Sequence, residues 1–244
     1  MRPLRFHVLR AVASHLRLVV SSLRVSMQHL PCPRFCGAAQ WRRGRRSSFG
    51  PARSRSSFRD FILAAQAELC AQFEGLDGAA TFCTDAWERD GGEKAGFGIT
   101  RVLTDGAAFE KAAVNTSVVS GVLTPARAAA MSSRGRRCVD AAGGQAYAAA
   151  ALSLVVHGSN PHVPTLRADV RSFTVEGETW FGGGVDLTPS YLHVADVRAF
   201  HRSLRALCDA HQRPGTPAGA LYEQYRVRNY IFFLIFQITV LVRR

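Results

Sequence analysis

The chain has 244 residues, 47% of them hydrophobic, and a formal charge of +13. That length buries one sizeable core, or a core with a small appendage, so a single domain is the default. The charge is confined: residues 1–59 hold thirteen Arg and no Asp, Glu or Lys, and the remaining 18 basic residues meet 18 acidic ones, which argues against a nucleic-acid binder.

An acid-free leader rich in Arg, Ser and Ala has the composition of a mitochondrial or chloroplast transit peptide. Within it, Leu4 to Leu23 mixes apolar residues with Arg2, Arg5, Arg10 and Arg17. That pattern suits a basic amphipathic helix on a membrane surface and is too interrupted to span one. A nucleic-acid arm built on Arg42, Arg43, Arg45 and Arg46 is the competing reading, and it leaves the apolar first half unexplained. Residues 1–57 are therefore expected to be a disordered transit peptide, with the chloroplast as destination and the mitochondrion as the alternative. The six cysteines, Cys32, Cys36, Cys70, Cys83, Cys138 and Cys208, contain no CxxC pair and read as reduced, mostly structural thiols.

Phe58, Phe61, Ile62, Ala65 and Leu69 recur at helical spacing behind the capping candidates Ser56 and Ser57, predicting a first helix that ends near Gly75. Gly98 to Leu103 reads as a strand, Asp105-Gly106 as a hairpin turn with a return strand through Phe109, and Val114 to Val119 as another strand. Thr124-Pro125 opens a short helix through Met131. Leu152 to Val156 suits a buried strand, followed by an extended loop at Asn160-Pro161 and Val163-Pro164. Leu166, Ala168 and Val170 then alternate with Arg167, Asp169 and Arg171, which puts the three charges on one face of a strand. A further strand, Thr179 to Phe181, is closed by Gly182-Gly183-Gly184, and Val197, Phe200, Leu204 and Leu207 describe a last helix ending before Pro214. Strands and helices in this order, with spacers too short for crossover helices, predict an α+β fold with a largely antiparallel sheet.

Two guanidinium groups flanking a carboxylate, as in Arg167-Ala168-Asp169-Val170-Arg171, can grip a substrate carboxylate in bidentate fashion; an exposed strand with self-neutralising charges is the bland alternative. In Trp180 to Pro189, three glycines let a ligand approach the backbone and permit positive φ, the large rings beside them offer an apolar wall, and Asp186 sits at the rim. A tight turn explains the same glycines. The histidines His157, His162, His193, His201 and His211 fit no strong metal signature, and neither a dinucleotide fingerprint, a P-loop nor a nucleophile elbow is present. Any chemistry must use the bound substrate directly.

Several ordered segments resemble the oxygen-dependent coproporphyrinogen-III oxidase family: Asp85 to Arg89, Phe109 to Val119, Ser153 to His157, Asn160 to Thr165, and the Phe-Gly-Gly-Gly-x-Asp-Leu-Thr-Pro stretch. The resemblance spans about Phe61 to His211. It implies oxidative decarboxylation of two propionates of coproporphyrinogen III to vinyl groups, giving protoporphyrinogen IX in haem or chlorophyll synthesis. It further implies O₂ as co-substrate, no metal or organic cofactor, and a homodimer. Carried over by residue, it makes Asp186, Arg171 and Arg167 the catalytic positions, with Ser153, His157, Asp169, Gly182, Gly183, Gly184 and His201 among the substrate contacts. Asp186 would hold the pyrrole N–H groups and Arg171 a propionate.

Two departures accompany that resemblance. Arg167 and Asp169 stand where many family members have His and Asn, and an Arg stays protonated near neutral pH, so it cannot act as the proton donor. After Tyr230 the family's expected active-site and dimer-forming sequence is replaced by an apolar run, Ile231 to Val242, of about twelve residues against the roughly twenty needed to span a bilayer. The reading is therefore a partial oxidase domain over 58–230 with an aberrant tail over 231–244, without nucleic-acid or stable membrane binding. A non-catalytic porphyrinogen-binding or regulatory paralogue, or an inactive truncated product, is the alternative.

Overall fold

The computed structural model describes residues 58–92, 95–133, 138–211, 215, 217–227 and 235–236. The expected leader, its capping serines and most of the expected tail lie outside them. The elements are helix α1 (Phe58–Asp77), strands β1 (Cys83–Glu88), β2 (Gly96–Thr104) and β3 (Phe109–Val122), helix α2 (Pro125–Ser132), strands β4 (Ala146–Gly158), β5 (Thr165–Val175) and β6 (Glu178–Thr188), helices α3 (Val194–His211) and α4 (Ala220–Val227), and the two-residue strand β7 (Ile235–Phe236). The strands form one seven-stranded sheet in sequence order, each pair antiparallel, so the expected α+β class holds.

One face of the sheet carries the core. Even-numbered residues of β4 and β3 and odd-numbered residues of β6 turn inward, among them Leu152, Leu154, Val114, Val185 and Leu187. Ile62, Leu69 and Phe73 of α1 and Phe200, Leu204 and Cys208 of α3 pack with them in one cluster. Full burial of a side chain such as Ile62 or Leu204 contributes about 1.5–3 kcal/mol. The buried thiols of Cys70 and Cys208 are pushed up, that of Cys208 to about 11, chiefly by burial.

Asp77, at the end of α1, fastens the helix to the β2–β3 hairpin. Its Oδ1 accepts from the backbone N–H of Ala79 (3.3 Å), Ala80 (2.9 Å) and Ala107 (3.1 Å), and its Oδ2 from Ala108 (2.9 Å) and Phe109 (3.0 Å). Gly106 is required there, because a β-carbon would collide with the Asp77 carboxylate. Burial alone would raise the acid's pKa, yet these donors hold it down at about 2.

Several boundaries differ from the sequence expectation. The return strand and the strand at Val114 are one element, β3. It starts rather than ends at Phe109, since the turn has Asp105 at φ 56° and closes through Gly106 N–H to Phe109 O at 2.9 Å. β4 begins six residues before Leu152: the alanine run Ala148 to Ala151 favours helix by propensity, but pairing on both sides holds it extended. The triple glycine does not close β6 but lies inside it, and none of the three has positive φ. The turn is at Glu176-Gly177, with φ 50° and 76°, a two-residue hairpin loop in which both residues are left-handed. Strand β1 and helix α4 were not anticipated, and Ile235–Phe236 of the expected tail pairs with Val185 and Asp186.

Candidate active face of the sheet

The second sheet face is covered only at one end among the described residues. There α2 is capped by the Thr124 hydroxyl, which accepts from Arg127 N–H at 3.4 Å, and it buries Ala128 with Leu123, Tyr147 and Val175. Beside it Tyr147 stacks on Phe173 and Phe173 on Trp180, each pair with ring centroids 5.2 Å apart. Arg127 donates to Tyr147 Oη at 3.3 Å. This aromatic ladder bounds the open part of the face.

Register then brings the expected residues together. Arg167 stands opposite Asp186, Asp169 opposite Gly184, and Arg171 opposite Gly182. On the other side of β5, Ser153 stands opposite Asp169 and Ala151 opposite Arg171. Cross-strand partners share a face, so Ser153, Arg167, Asp169, Arg171, Gly182, Gly184 and Asp186 form one surface. His157 joins one row further on, its Nδ1 3.2 Å from Thr165 Oγ1. Arg171 and Asp186 lie four residues apart along this surface, on the order of 13 Å. The direct partner of Asp186 is thus Arg167 rather than Arg171.

Small residues open the surface to a flat ligand. Gly182 and Gly184 on β6 and Ala149 and Ala151 on β4 leave the charged side chains of β5 standing above their neighbours. Gly183 faces the helices instead; its value is backbone fit, because a β-carbon there would lie 2.5 Å from the Asp169 carbonyl oxygen. Of the two rings expected as a wall, only Trp180 shares the open face. Phe181 is buried on the helix side, edge-on to Phe58 at 5.4 Å.

The electrostatics are those of an incompletely satisfied site. Asp169 Oδ2 lies 3.6 Å from Arg171 Nε, an ion pair without a hydrogen bond, and that oxygen is buried. Burial raises the Asp169 pKa, Arg171 and Arg167 pull it back, and Asp186 raises it again. The Asp186 carboxyl is also raised by burial, against Arg167 and a 3.3 Å hydrogen bond from Thr188 Oγ1. Two carboxyls whose pKa values burial raises, beside two permanent cations, can bind anionic groups and exchange protons with a ligand.

His201 does not join them. It lies on α3, on the helix side of the sheet, where its Nδ1 is 2.7 Å from Tyr222 Oη. The sequence places it by motif order alone, and the sheet intervenes. Sequence reasoning also missed Asn115, which pairs with Ser153 on the open face, and the Tyr147–Phe173 part of the ladder. Only strand register brings these to the site. Among the described residues no three His, Cys, Asp or Glu side chains converge as a metal ion would require, and no helix is long and apolar enough to cross a membrane.

The fold and this face define an α+β domain whose antiparallel sheet exposes a basic and acidic surface edged by aromatic rings. A family model described as coproporphyrinogen III oxidase matches residues 57–236, and the chain belongs to that family. It is 44% identical over 155 residues to the mitochondrial oxygen-dependent coproporphyrinogen-III oxidase of Homo sapiens, covering 62% of this chain and 34% of the relative. The enzyme of Rattus norvegicus gives the same identity and coverage, and that of Drosophila melanogaster is 46% identical over 156 residues, 39% of its length. The chain thus spans between a third and two fifths of the relatives it matches.

Proposed function

We propose that this protein acts on coproporphyrinogen III, using O₂ to convert two propionate side chains to vinyl groups, without a metal or organic cofactor. Each conversion balances as a propionic acid plus O₂ giving a vinyl group, CO₂ and H₂O₂: the side chain loses two electrons and O₂ gains them. The observation that carries this reading is the single open face on which Ser153, Arg167, Asp169, Arg171 and Asp186 stand together. Pyrrole N–H groups are donors and suit the two carboxylates; propionates suit the two guanidinium groups. A face that fixes the macrocycle and receives a proton serves an electron-rich pyrrole that itself reacts with O₂.

The Arg-rich leader would deliver the protein to an organelle, the chloroplast in our reading and the mitochondrion as the alternative. The names of the human and rat relatives include the word mitochondrial.

The test is protoporphyrinogen formation by the purified chain under air, read as protoporphyrin fluorescence after oxidation, with an anaerobic control. Activity that requires O₂ and falls at least about 100-fold in Asp186→Asn is expected, the scale of removing one electrostatic partner of the reacting group. Turnover unchanged in that variant would overturn the assignment of Asp186. Binding of coproporphyrinogen without turnover would favour the second reading, a non-catalytic paralogue, for which Arg167 in place of a proton-donating His is the supporting observation.

A further inference from the structure

Buried side-chain oxygens almost always find a donor, so each exception asks for an explanation. Two exceptions stand on the open face: Oδ1 of Asn115 and Oδ2 of Asp169 are buried and accept no hydrogen bond. They occupy one row across the sheet, Thr100, Asn115, Ser153, Asp169 and Gly184. Two strand spacings, on the order of 10 Å, separate their backbones, and exposed Ser153 lies between them.

The opposite face shows what a purely structural amide looks like in this fold. Gln66 of α1 is buried, its Nε2 donates to the carbonyls of Ile99 and Val114 at 2.8 Å each, and its Oε1 accepts from Thr116 Oγ1 at 3.3 Å. Asn115 is the next residue after Val114 and points the other way, toward the candidate site. Its acceptor has been desolvated without being used.

We propose that Asn115 extends the substrate face across β3 and, with Asp169, selects the reduced tetrapyrrole by accepting pyrrole N–H hydrogen bonds from a macrocycle centred over Ser153, which moves the N–H contacts off Asp186 and leaves that carboxyl facing the edge of the macrocycle. This inference rests on the tetrapyrrole reading above. The selectivity follows from donor direction. A porphyrinogen is puckered, and its tilted pyrroles can turn N–H groups out of the ring plane toward one face. The oxidised porphyrin is planar, and its two N–H groups lie in that plane, aimed into the central cavity beside two imine nitrogens. Two protein acceptors on one face are reached by the donors of the first and not by those of the second.

The experiment measures binding of coproporphyrinogen III, kept reduced under argon, and of coproporphyrin III to the full chain by quenching of tryptophan fluorescence, alongside thermal melting. Wild type is expected to prefer the reduced form. Asn115→Leu should melt at the same temperature or higher, lose about tenfold or more in affinity for the reduced form, and change little toward the oxidised one. Asn115→Asp keeps the acceptor and should keep the preference, which also serves should the leucine variant fail to fold. Unchanged affinity for the reduced form in Asn115→Leu, or loss of the preference in Asn115→Asp, overturns the inference. A lowered melting temperature with equal losses for both macrocycles assigns Asn115 a structural role and overturns it as well. Wild type that binds neither macrocycle removes the tetrapyrrole reading itself.

Discussion

Asp77 and Asp169 are carboxylates of the same domain treated in opposite ways. Asp77 is almost fully buried, yet five backbone N–H groups converge on it and its pKa sits at about 2. Asp169 is more exposed, yet one of its oxygens is buried without a hydrogen bond and its pKa is raised. Burial pushes both carboxyls upward, and the supply of donors decides whether the pKa ends below or above its ordinary value. A joint between helix and hairpin completes its own hydrogen bonding, whereas the open face leaves acceptors for something else to meet. Asp186 belongs with Asp169, raised in pKa and sharing Arg167 as its cation.

The largest test of that contrast is Asp77→Ala. It would strand the buried N–H groups of Ala108 and Phe109 and detach α1 from the hairpin, so a loss of about 4 kcal/mol is expected. The urea midpoint of the full chain measures it. A shift worth less than about 1 kcal/mol would mean that water or a moved loop replaces the clip, and the two carboxylates would no longer differ in kind.

Acid titration sharpens the same comparison at smaller scale. Asp77 has a folded pKa depressed from 3.8 to about 2, so the unfolded chain binds more protons between those values. Its stabilisation is present above pH 3.8 and is lost as pH falls through 2, amounting to roughly 2 kcal/mol. Asp169 and Asp186 have raised pKa values, so the folded chain binds more protons above 3.8, and their contribution falls as pH rises through that interval. Stability measured in urea from pH 2 to 6 should therefore climb steeply at first and then decline above pH 3.8. A level plateau above pH 3.8 would show that the open-face carboxylates titrate normally.

Much of this was legible in the sequence, and the remainder was hidden for physical reasons. Alternation in Leu166 to Arg171 fixed which residues of β5 share a face, because a strand has a period of two whatever its neighbours. The Thr124-Pro125 cap gave α2 because capping is local chemistry. β1 was silent: its six residues are exposed or half-buried, so an edge strand left no apolar pattern to read. Gly182-Gly183-Gly184 left two readings open because glycine signals both turns and close backbone approach, and only the pairing of β6 with β5 shows that the strand continues through them. Asn115 and His201 are mirror cases. Register, which no local pattern specifies, brings the first to the face, and helix packing takes the second away from it.

The smallest expected stability effect is also the most diagnostic. Asp169→Asn keeps shape, removes the charge beside Arg171 and Asp186, and leaves no hydrogen bond unmade that exists now. If Asp169 is held for ligand binding, the variant should match wild type in stability near pH 7 or exceed it by up to about 1 kcal/mol, since removing an ill-supported buried charge is close to neutral or favourable. The downward slope above pH 3.8 should weaken at the same time. Asp77→Asn, the same chemical change, should instead destabilise by several times as much, because it removes the negative charge from five donors arranged around it. Opposite signs for one substitution at the two sites would separate a carboxylate that the fold uses from one that it keeps in reserve. A loss at Asp169 comparable to that at Asp77 would make both of them structural.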